Sequence, residues 1–256
     1  MKVPAIATLA LLALLGIHLT GSAASKRSPV LIELFTSEGC SSCPPADALL
    51  EKWDISQPVP GAELIVMSEH VDYWNHDGWK DPYSSSSLTD RQTAYARVLG
   101  IDDVYTPQMI VDGTAVLQLA DPSQISQVIQ KAAATPSIPV RIESVTADGD
   151  GSLRAHIEAD GTSEKHKADV YVALALNRIE SQVSAGENRG RHLSHVAVVE
   201  YLKKIGTLDA GKSLRQDVQL KLKTGGNSTN IRIIAFVQEP GPGKVVGAAL
   251  RRAQSQ

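Results

Sequence analysis

The sequence predicts an α/β domain with a mixed sheet flanked by helices, followed by an all-β, sandwich-like domain. Three observations lead to this prediction. Strand and helix patterns alternate over residues 28–134, residues 135–139 (Thr-Pro-Ser-Ile-Pro) have the composition of a linker, and residues 140–250 carry strand patterns separated by Asp-Gly, Gly-Gly and Pro-Gly pairs. The chain is long enough for two such domains.

Residues 1–24 are predicted to be a secretory signal peptide. Lys2 supplies a positive charge, the run from Val3 to Ile17 is almost entirely apolar, and residues 21–24 (Gly-Ser-Ala-Ala) are small, as a signal peptidase requires. The run is shorter than the roughly 20 apolar residues of a membrane span, although a retained anchor is the alternative. We therefore expect a periplasmic or secreted protein with no membrane segment after cleavage, in a compartment where disulfides persist.

The first half is predicted to alternate strands and helices before it ends in a hairpin and a helix. The predicted elements are a strand at 30–35, a helix carrying Leu49, Leu50 and Trp53 that begins as early as Pro44, a strand at 63–67, a helix that a capping box opens at Thr89 and that ends at Gly100, a hairpin about Asp112-Gly113, and a last helix after Asp121. This order implies a mixed sheet covered by helices. The second half is predicted to contain strands at 140–146, 153–159, 169–177, 214–222, 231–237 and 244–249.

The two cysteines of the chain, Cys40 and Cys43, occur as Cys-Ser-Ser-Cys just after the first strand. One such pair is too small for a structural zinc site, which needs four ligands. Two thiols placed where a strand passes into a helix suit reversible disulfide chemistry, because a helix N-terminus favours the thiolate. We expect Cys40 to attack and Cys43 to resolve the mixed disulfide. An inert stapling disulfide is the alternative.

The overall charge offers no support for nucleic-acid binding. Without Lys2, the chain carries 24 basic and 28 acidic residues, a formal net charge of about −4. A nucleic-acid-binding domain presents a basic surface instead. We therefore expect a protein or small-molecule partner.

Residues 28–134 resemble the thioredoxin family. The likeness is carried by the strand, turn and helix around the Cys-Ser-Ser-Cys motif and by Val104-Tyr105-Thr106-Pro107, which leads into a strand and the Asp-Gly hairpin. The resemblance implies that Thr106–Pro107 is a cis peptide packed against the cysteine motif, and that an insertion occupies residues 72–99. It further implies that Glu33, an acid within the first strand, relays the proton of the resolving thiol.

Glu33 has an alternative role that the sequence leaves open. It lies seven residues before Cys40, whereas thioredoxins place their buried acid six residues before the first cysteine. An offset of one residue turns a strand side chain to the other face of the sheet. Glu33 would then be an ordinary edge or interface carboxylate.

Longer stretches resemble a bacterial family of secreted thioredoxin-like proteins catalogued only as a domain of unknown function. These stretches are residues 33–40, 70–74 and 186–191, so the likeness covers nearly the whole mature chain. It implies an architecture and no particular reaction. Gly39 stands where thioredoxins have tryptophan, which predicts a more open rim beside Cys40.

Aromatic and histidine side chains follow the predicted central strand, at the end of the sheet where open α/β folds bind ligands. We expect a substrate-binding wall over the disulfide, formed by His70, Tyr73, Trp74, Trp79 and Thr106. The segment from Arg189 to His195 is expected to pack at the interface between the halves or to cover the site.

The sequence favours an exported thiol–disulfide oxidoreductase that acts through Cys40 and Cys43, with Pro107 and Glu33 in supporting roles. The expected partner is a thiol- or disulfide-containing protein or a small thiol, and no cofactor is expected. A copper-handling module is one alternative, because cysteine and histidine together suit copper or zinc; its ligands would be Cys40, Cys43 and either His70 or His76. A structural protein with an inert disulfide is the other.

Overall fold

The structure is a computed structural model that describes residues 27–147, 152–161, 167–221 and 230–252. The predicted signal peptide, residues 1–24, lies outside the described residues. Within the described ranges, no helix combines the length and the apolar character needed to cross a membrane.

The first half contains four strands and three α-helices. The strands are β1 (Ser28–Thr36), β2 (Ala62–His70), β3 (Gln108–Val111) and β4 (Ala115–Val116), and the helices are α1 (Pro44–Ser56), α2 (Ser86–Leu99) and α3 (Pro122–Ala133). A short 3-10 turn, Tyr73–His76, lies between β2 and α2. The predicted insertion at 72–99 thus consists of this turn, a loop and α2.

Among the described residues of the second half, seven strands are present. They are β5 (Val140–Ala147), β6 (Ser152–Ala159), β7 (Ala168–Gln182), β8 (His192–Leu208), β9 (Leu214–Lys221), β10 (Ile231–Gln238) and β11 (Val245–Arg252). Six of them correspond to the predicted segments. Strand β8 was not predicted, because the polar stretch that leads into it, Arg189 to His192, and an interior Ala197 with a φ of 53° conceal its strand pattern.

One mixed sheet of eight strands runs through both halves, in the order β11-β10-β7-β8-β2-β1-β3-β4. Strands β1 and β2 are parallel, and β3 is antiparallel to β1. The two halves meet where Ser68 of β2 pairs with Val198 of β8. The predicted mixed α/β sheet is confirmed, and the second half extends it.

The remaining strands form a separate three-stranded sheet in the order β5-β6-β9. Its apolar face, which includes Leu153, Ile157 and Leu220, packs on the β7, β8 and β10 region of the large sheet. The predicted sandwich therefore does not stand apart, because one of its two layers is the continuation of the first sheet. Strand periodicity indicates which face is buried and does not identify the neighbouring strand.

The two faces of β1 are covered by different helices. Ile32 and Leu34 share an apolar cluster with Leu50 of α1 and Ile129 of α3. Phe35 packs instead with Tyr95 of α2. Because alternate strand residues point to opposite faces, α1 and the cysteine motif lie on the Ile32 face, and Glu33 points to the α2 face.

A candidate redox site at the Cys40–Cys43 disulfide

Cys40 and Cys43 form a disulfide in the turn between β1 and α1. The Cys43 amide donates to the Cys40 carbonyl oxygen over 3.3 Å, and the Asp47 amide donates to the Cys43 carbonyl oxygen over 3.1 Å. Cys43 is the N-cap residue of α1, which begins at Pro44. Proline fits the first helical position because its missing N–H would have no helical partner there.

Both cysteines are completely buried, with 0% of either residue exposed. Ser41 and Ser42, which separate them, are exposed. The Ser42 hydroxyl lies 3.4 Å from the Cys40 sulfur. The disulfide therefore lies just beneath the surface, and the two serines mark the side from which a reactant would approach.

A segment from the second half, residues 183–191, covers the cysteine turn. The side-chain amide of Asn188 donates to the carbonyl oxygens of Glu38 and Cys40, both over 2.8 Å. The Glu187 carboxylate accepts a hydrogen bond of 3.1 Å from the Ser41 amide. Asn188 and Glu187 directly precede the predicted segment, Arg189 to His195, whose His195 packs against His70 of the first half. The roles of Asn188 and Glu187 were not predicted.

Two tryptophans complete the cover from the β2–α2 side. The Trp74 indole donates to the Thr106 hydroxyl over 2.8 Å, and the Trp79 indole donates to Glu38 Oε2 over 2.8 Å. A Cβ atom placed on Gly39 would lie 3.1 Å from Trp74 Cβ. The prediction of an open rim is therefore wrong, because Trp74 lies against the space beside Gly39.

The Thr106–Pro107 peptide is cis, as the resemblance implied. Pro107 directly precedes β3, whose Gln108 pairs with Phe35 near the end of β1. Tyr73 lies behind this turn: its hydroxyl donates to Gln92, which in turn donates to the Tyr105 carbonyl oxygen over 2.8 Å. Thr106 and Trp74 thus link the proline turn to the cysteine turn, and Tyr73 supports them from behind.

His70 is buried and does not line an open wall, contrary to the prediction. Its Nδ1 lies 2.7 Å from Asp81 Oδ2. Burial opposes the charged imidazole, but the hydrogen bond and charge of Asp81, together with the charges of Asp47 and Glu38, outweigh that effect and raise the pKa of His70. For Asp81, burial works against ionisation, yet His70 and the backbone amides of Glu38 and Tyr83 lower its pKa to about 2.

A second histidine, His195 of β8, packs against His70. The two ring centroids are 4.8 Å apart, and His195 Nδ1 lies 3.5 Å from Asp47 Oδ1 on α1. The sequence offered one signal for this group, an acid one helical turn after Cys43. Nothing in the sequence indicated that β8 would bring His195 beside it.

The relay role predicted for Glu33 is wrong, because its side chain lies on the other face of the sheet. The Arg91 guanidinium lies 2.6 Å from Glu33 Oε1, and the Tyr95 hydroxyl donates to Glu33 Oε2 over 2.5 Å. Glu69 of β2 is also buried here, 3.7 Å from the same guanidinium. Burial and the neighbouring Glu33 raise the pKa of Glu69 well above its usual range.

Residues 31–238 match the family described as a protein of unknown function, DUF1223. The chain belongs to this family. Among solved structures, protein AGR_C_4864 from Agrobacterium tumefaciens is similar, with 29% identity and a TM-score of 0.70 over 91% of this chain and 98% of its own. The sporulation control protein Spo0M from Bacillus subtilis is 10% identical, with a TM-score of 0.30 over 47% of this chain and 49% of its own. No curated protein matches the chain.

This membership confirms the predicted likeness to a family without an assigned function, so the chemistry has to be inferred from the site. Across the part of the chain that the structure describes, no group of three or more His, Cys, Asp or Glu side chains is placed to hold a metal ion. His76, one candidate copper ligand, is exposed in the 3-10 turn, and His70 Nδ1 is already bonded to Asp81. The Cys40–Cys43 disulfide lies at the centre of the residues described above.

Proposed function

We propose that this protein is an exported thiol–disulfide oxidoreductase whose first half is thioredoxin-like. The observation that carries the proposal is the position of the Cys40–Cys43 disulfide. It lies where β1 passes into α1, and Trp74 joins it to the cis Thr106–Pro107 turn. The order of β1, α1, β2, hairpin and α3 is the one that the resemblance to thioredoxins implies.

The proposed reaction is exchange between this disulfide and the thiols of a partner. A partner thiolate attacks the Cys40 sulfur, a new sulfur–sulfur bond forms to the partner, and Cys43 leaves as a thiolate that takes up a proton. A second partner thiol then displaces Cys40, which yields a partner disulfide and the reduced protein. The reverse sequence reduces a partner disulfide and restores the Cys40–Cys43 disulfide, and the two reduction potentials decide which direction prevails.

Because the disulfide is buried, it must become exposed before a partner thiol can react with it. In this proposal, residues 183–191 move away from the cysteine turn, which breaks the Asn188 and Glu187 hydrogen bonds and exposes Cys40 beside Ser41 and Ser42. An extended partner segment then occupies the vacated surface. The predicted periplasmic or secreted location would supply the oxidising surroundings in which such an exchange is useful.

The complete burial of both cysteines also favours a second candidate, a structural disulfide. A loop closed between residues 40 and 43 constrains the unfolded chain only weakly, because the entropic effect of a disulfide grows with loop length. A stabilising role would therefore be small for such a loop. The two candidates differ in whether the folded, reduced protein exchanges disulfides.

A matched pair of variants tests the proposal. The reduced mature protein, with Cys43→Ser or Cys40→Ser, is incubated with oxidised glutathione and analysed by intact mass. We expect the Cys43→Ser variant, which keeps the attacking thiol, to accumulate a mixed disulfide. We expect the Cys40→Ser variant to accumulate far less. If neither folded variant reacts, while both react after unfolding in urea, the disulfide is structural and the proposal fails.

A further inference from the structure

A chain of four buried ionisable side chains runs behind the disulfide from α1 to the β2–α2 loop. Asp47 Oδ1 lies 3.5 Å from His195 Nδ1, the His195 and His70 ring centroids are 4.8 Å apart, and His70 Nδ1 lies 2.7 Å from Asp81 Oδ2. None of the four residues is more than 4% exposed. Nothing proposed so far for the disulfide uses this chain.

The end of the chain nearest the disulfide is Asp47. It follows Cys43 by four residues at the start of α1, and side chains at this spacing lie one above the other on the same face of a helix. Cys43 and Asp47 are both buried. The side chains of Cys43 and Asp47 are therefore neighbours on one buried face at the start of α1.

The hydrogen bonding of this pair is incomplete. Three polar atoms have no hydrogen-bond partner among the described residues: both ring nitrogens of His195 and Asp47 Oδ1. Buried polar atoms are nearly always paired, and an unpaired one destabilises the folded state. These atoms can accept a proton, and the Cys43 thiol must lose and regain one during disulfide exchange. The pair is therefore placed to take part in that proton transfer.

We infer that Asp47 and His195 exchange the proton of Cys43 during the disulfide reaction. The inference depends on the proposed function. When a Cys40 mixed disulfide resolves, the Cys43 S–H proton passes to the Asp47–His195 pair and the Cys43 thiolate attacks the Cys40 sulfur. The partner leaves as a thiolate. In the opposite direction the pair returns the proton to the Cys43 thiolate as it leaves.

Charged groups approach the pair from each element around it. His70 faces His195 from β2, Asp81 follows from the loop before α2, and Glu38 lies in the β1–α1 turn. Glu200, also on β8, is near Tyr83, whose ring packs on His70. Three of these four neighbours are acidic, and the fourth is the imidazole of His70. Glu33 lies on the opposite face of the sheet.

The two thiol reactions can be followed separately with 5,5′-dithiobis(2-nitrobenzoate). Attack by Cys40 on this reagent releases a first coloured thiolate in a bimolecular phase. Attack by Cys43 on the resulting mixed disulfide releases a second in a first-order phase. The reduced mature protein is compared with Asp47→Asn, with His195→Gln, and with Glu51→Gln as the control. Glu51 is a carboxylate one turn further along α1 that pairs with Arg178.

We expect Asp47→Asn and His195→Gln to slow the second phase about 100-fold near pH 7, the lower range of general-base effects, and to leave the first phase unchanged. The second phase should recover at about pH 9, where a free thiol ionises unaided. The Glu51→Gln variant should match the wild type at both pH values. Far-UV circular dichroism identifies the variants that fold, and either variant alone decides the question.

Two results would overturn the inference without affecting the proposed function. One is a second phase as fast in both variants as in the wild type. The other is a second phase slowed equally at all pH values, which would show that the pair only shapes the fold. Absence of the first phase in the wild type would instead overturn the proposed function and, with it, this inference.

Discussion

Asn188 binds the carbonyl oxygen of Cys40 through a side-chain hydrogen bond of 2.8 Å that spans 148 residues of sequence. The same amide group donates to the Glu38 carbonyl oxygen over an equal distance. Asn188 itself is completely buried. The second half of the chain therefore closes the cysteine turn directly, and the opening of this contact is a step that can be measured.

Asn188→Ala is expected to make the disulfide react faster with dithiothreitol. Two hydrogen bonds that hold residues 183–191 in place are lost, and each contributes about 0.5–1.5 kcal/mol. A combined change near 1.4 kcal/mol corresponds to a rate increase of about tenfold. The measurement is the rate of reduction, followed by alkylation and mass analysis. Ser184→Ala, an exposed position in the same segment, is the control and should react at the wild-type rate.

An unchanged rate in Asn188→Ala would show that reductants reach Cys40 without movement of this segment. A slower rate would show that Asn188 holds the sulfur in a reactive position and does not shield it. Either outcome would remove the access step from the proposed function.

Ser42→Ala is expected to lower the reactivity of Cys40 in the reduced protein at mildly acidic pH. The Ser42 hydroxyl, 3.4 Å from the Cys40 sulfur, can donate to the thiolate, and a hydrogen bond to the charged form favours that form. Without it, a smaller fraction of Cys40 is ionised. The measurement is the rate of iodoacetamide labelling as a function of pH, read at Cys40 by peptide mass analysis.

Ser41→Ala is the matched control for this experiment. The Ser41 side chain interacts with Glu187, so its removal leaves the serine at position 42 in place. We expect the pH profile of Cys40 labelling in Ser41→Ala to lie close to that of the wild type. The profile of Ser42→Ala should differ from both. Identical profiles for the two variants would mean that the Ser42 hydroxyl does not stabilise the thiolate.

Glu69→Gln is expected to increase stability, and the gain should grow as the pH rises. Burial and Glu33 raise the pKa of Glu69, so the folded chain binds this proton more tightly than the unfolded chain does. In the wild type, the contribution of Glu69 to stability is therefore fully present below its unfolded pKa and is lost as the pH rises through the folded pKa. Glutamine has no proton to lose.

The free energy of unfolding in urea at several pH values between about 4.5 and 8 measures this difference, the lower limit being the ordinary pKa range of glutamate. Glu63→Gln is the control, because Glu63 lies on the same strand and is exposed. We expect the free energy of unfolding of Glu63→Gln to differ little from that of the wild type, by an amount nearly independent of pH. If the difference in the free energy of unfolding between Glu69→Gln and the wild type is also independent of pH, the raised pKa of Glu69 is contradicted.

Local chemistry made part of this site predictable from the sequence. The spacing of Cys40 and Cys43, the strand before them and the proline at Pro44 specify a disulfide turn at a helix start, since each of these signals acts within a few residues. The Asp112-Gly113 pair specifies its hairpin in the same way. The cis peptide at Pro107 could be predicted only from the resemblance to thioredoxins.

The parts that were missed depend on which strands become neighbours. Asn188 reaches the cysteine turn and His195 reaches Asp47 because β7 and β8 form a long hairpin that joins the first sheet, and no local signal specifies that pairing. The role of Glu33 stayed open between a proton relay and an interface carboxylate, because its distance from Cys40 along the chain does not decide which face of the strand it occupies. Trp74 likewise packs against Gly39 across a distance that only the fold determines.

The reduction potential of the Cys40–Cys43 couple tests the proposed redox function most directly. The mature protein is equilibrated in glutathione buffers, with dithiothreitol buffers for lower potentials, and the oxidised and reduced forms are quantified by alkylation and intact mass. We predict reversible exchange with a potential between about −120 and −270 mV, the range of known thiol–disulfide oxidoreductases. A potential below about −300 mV, typical of structural disulfides, or no exchange in the folded protein, would contradict the proposed function.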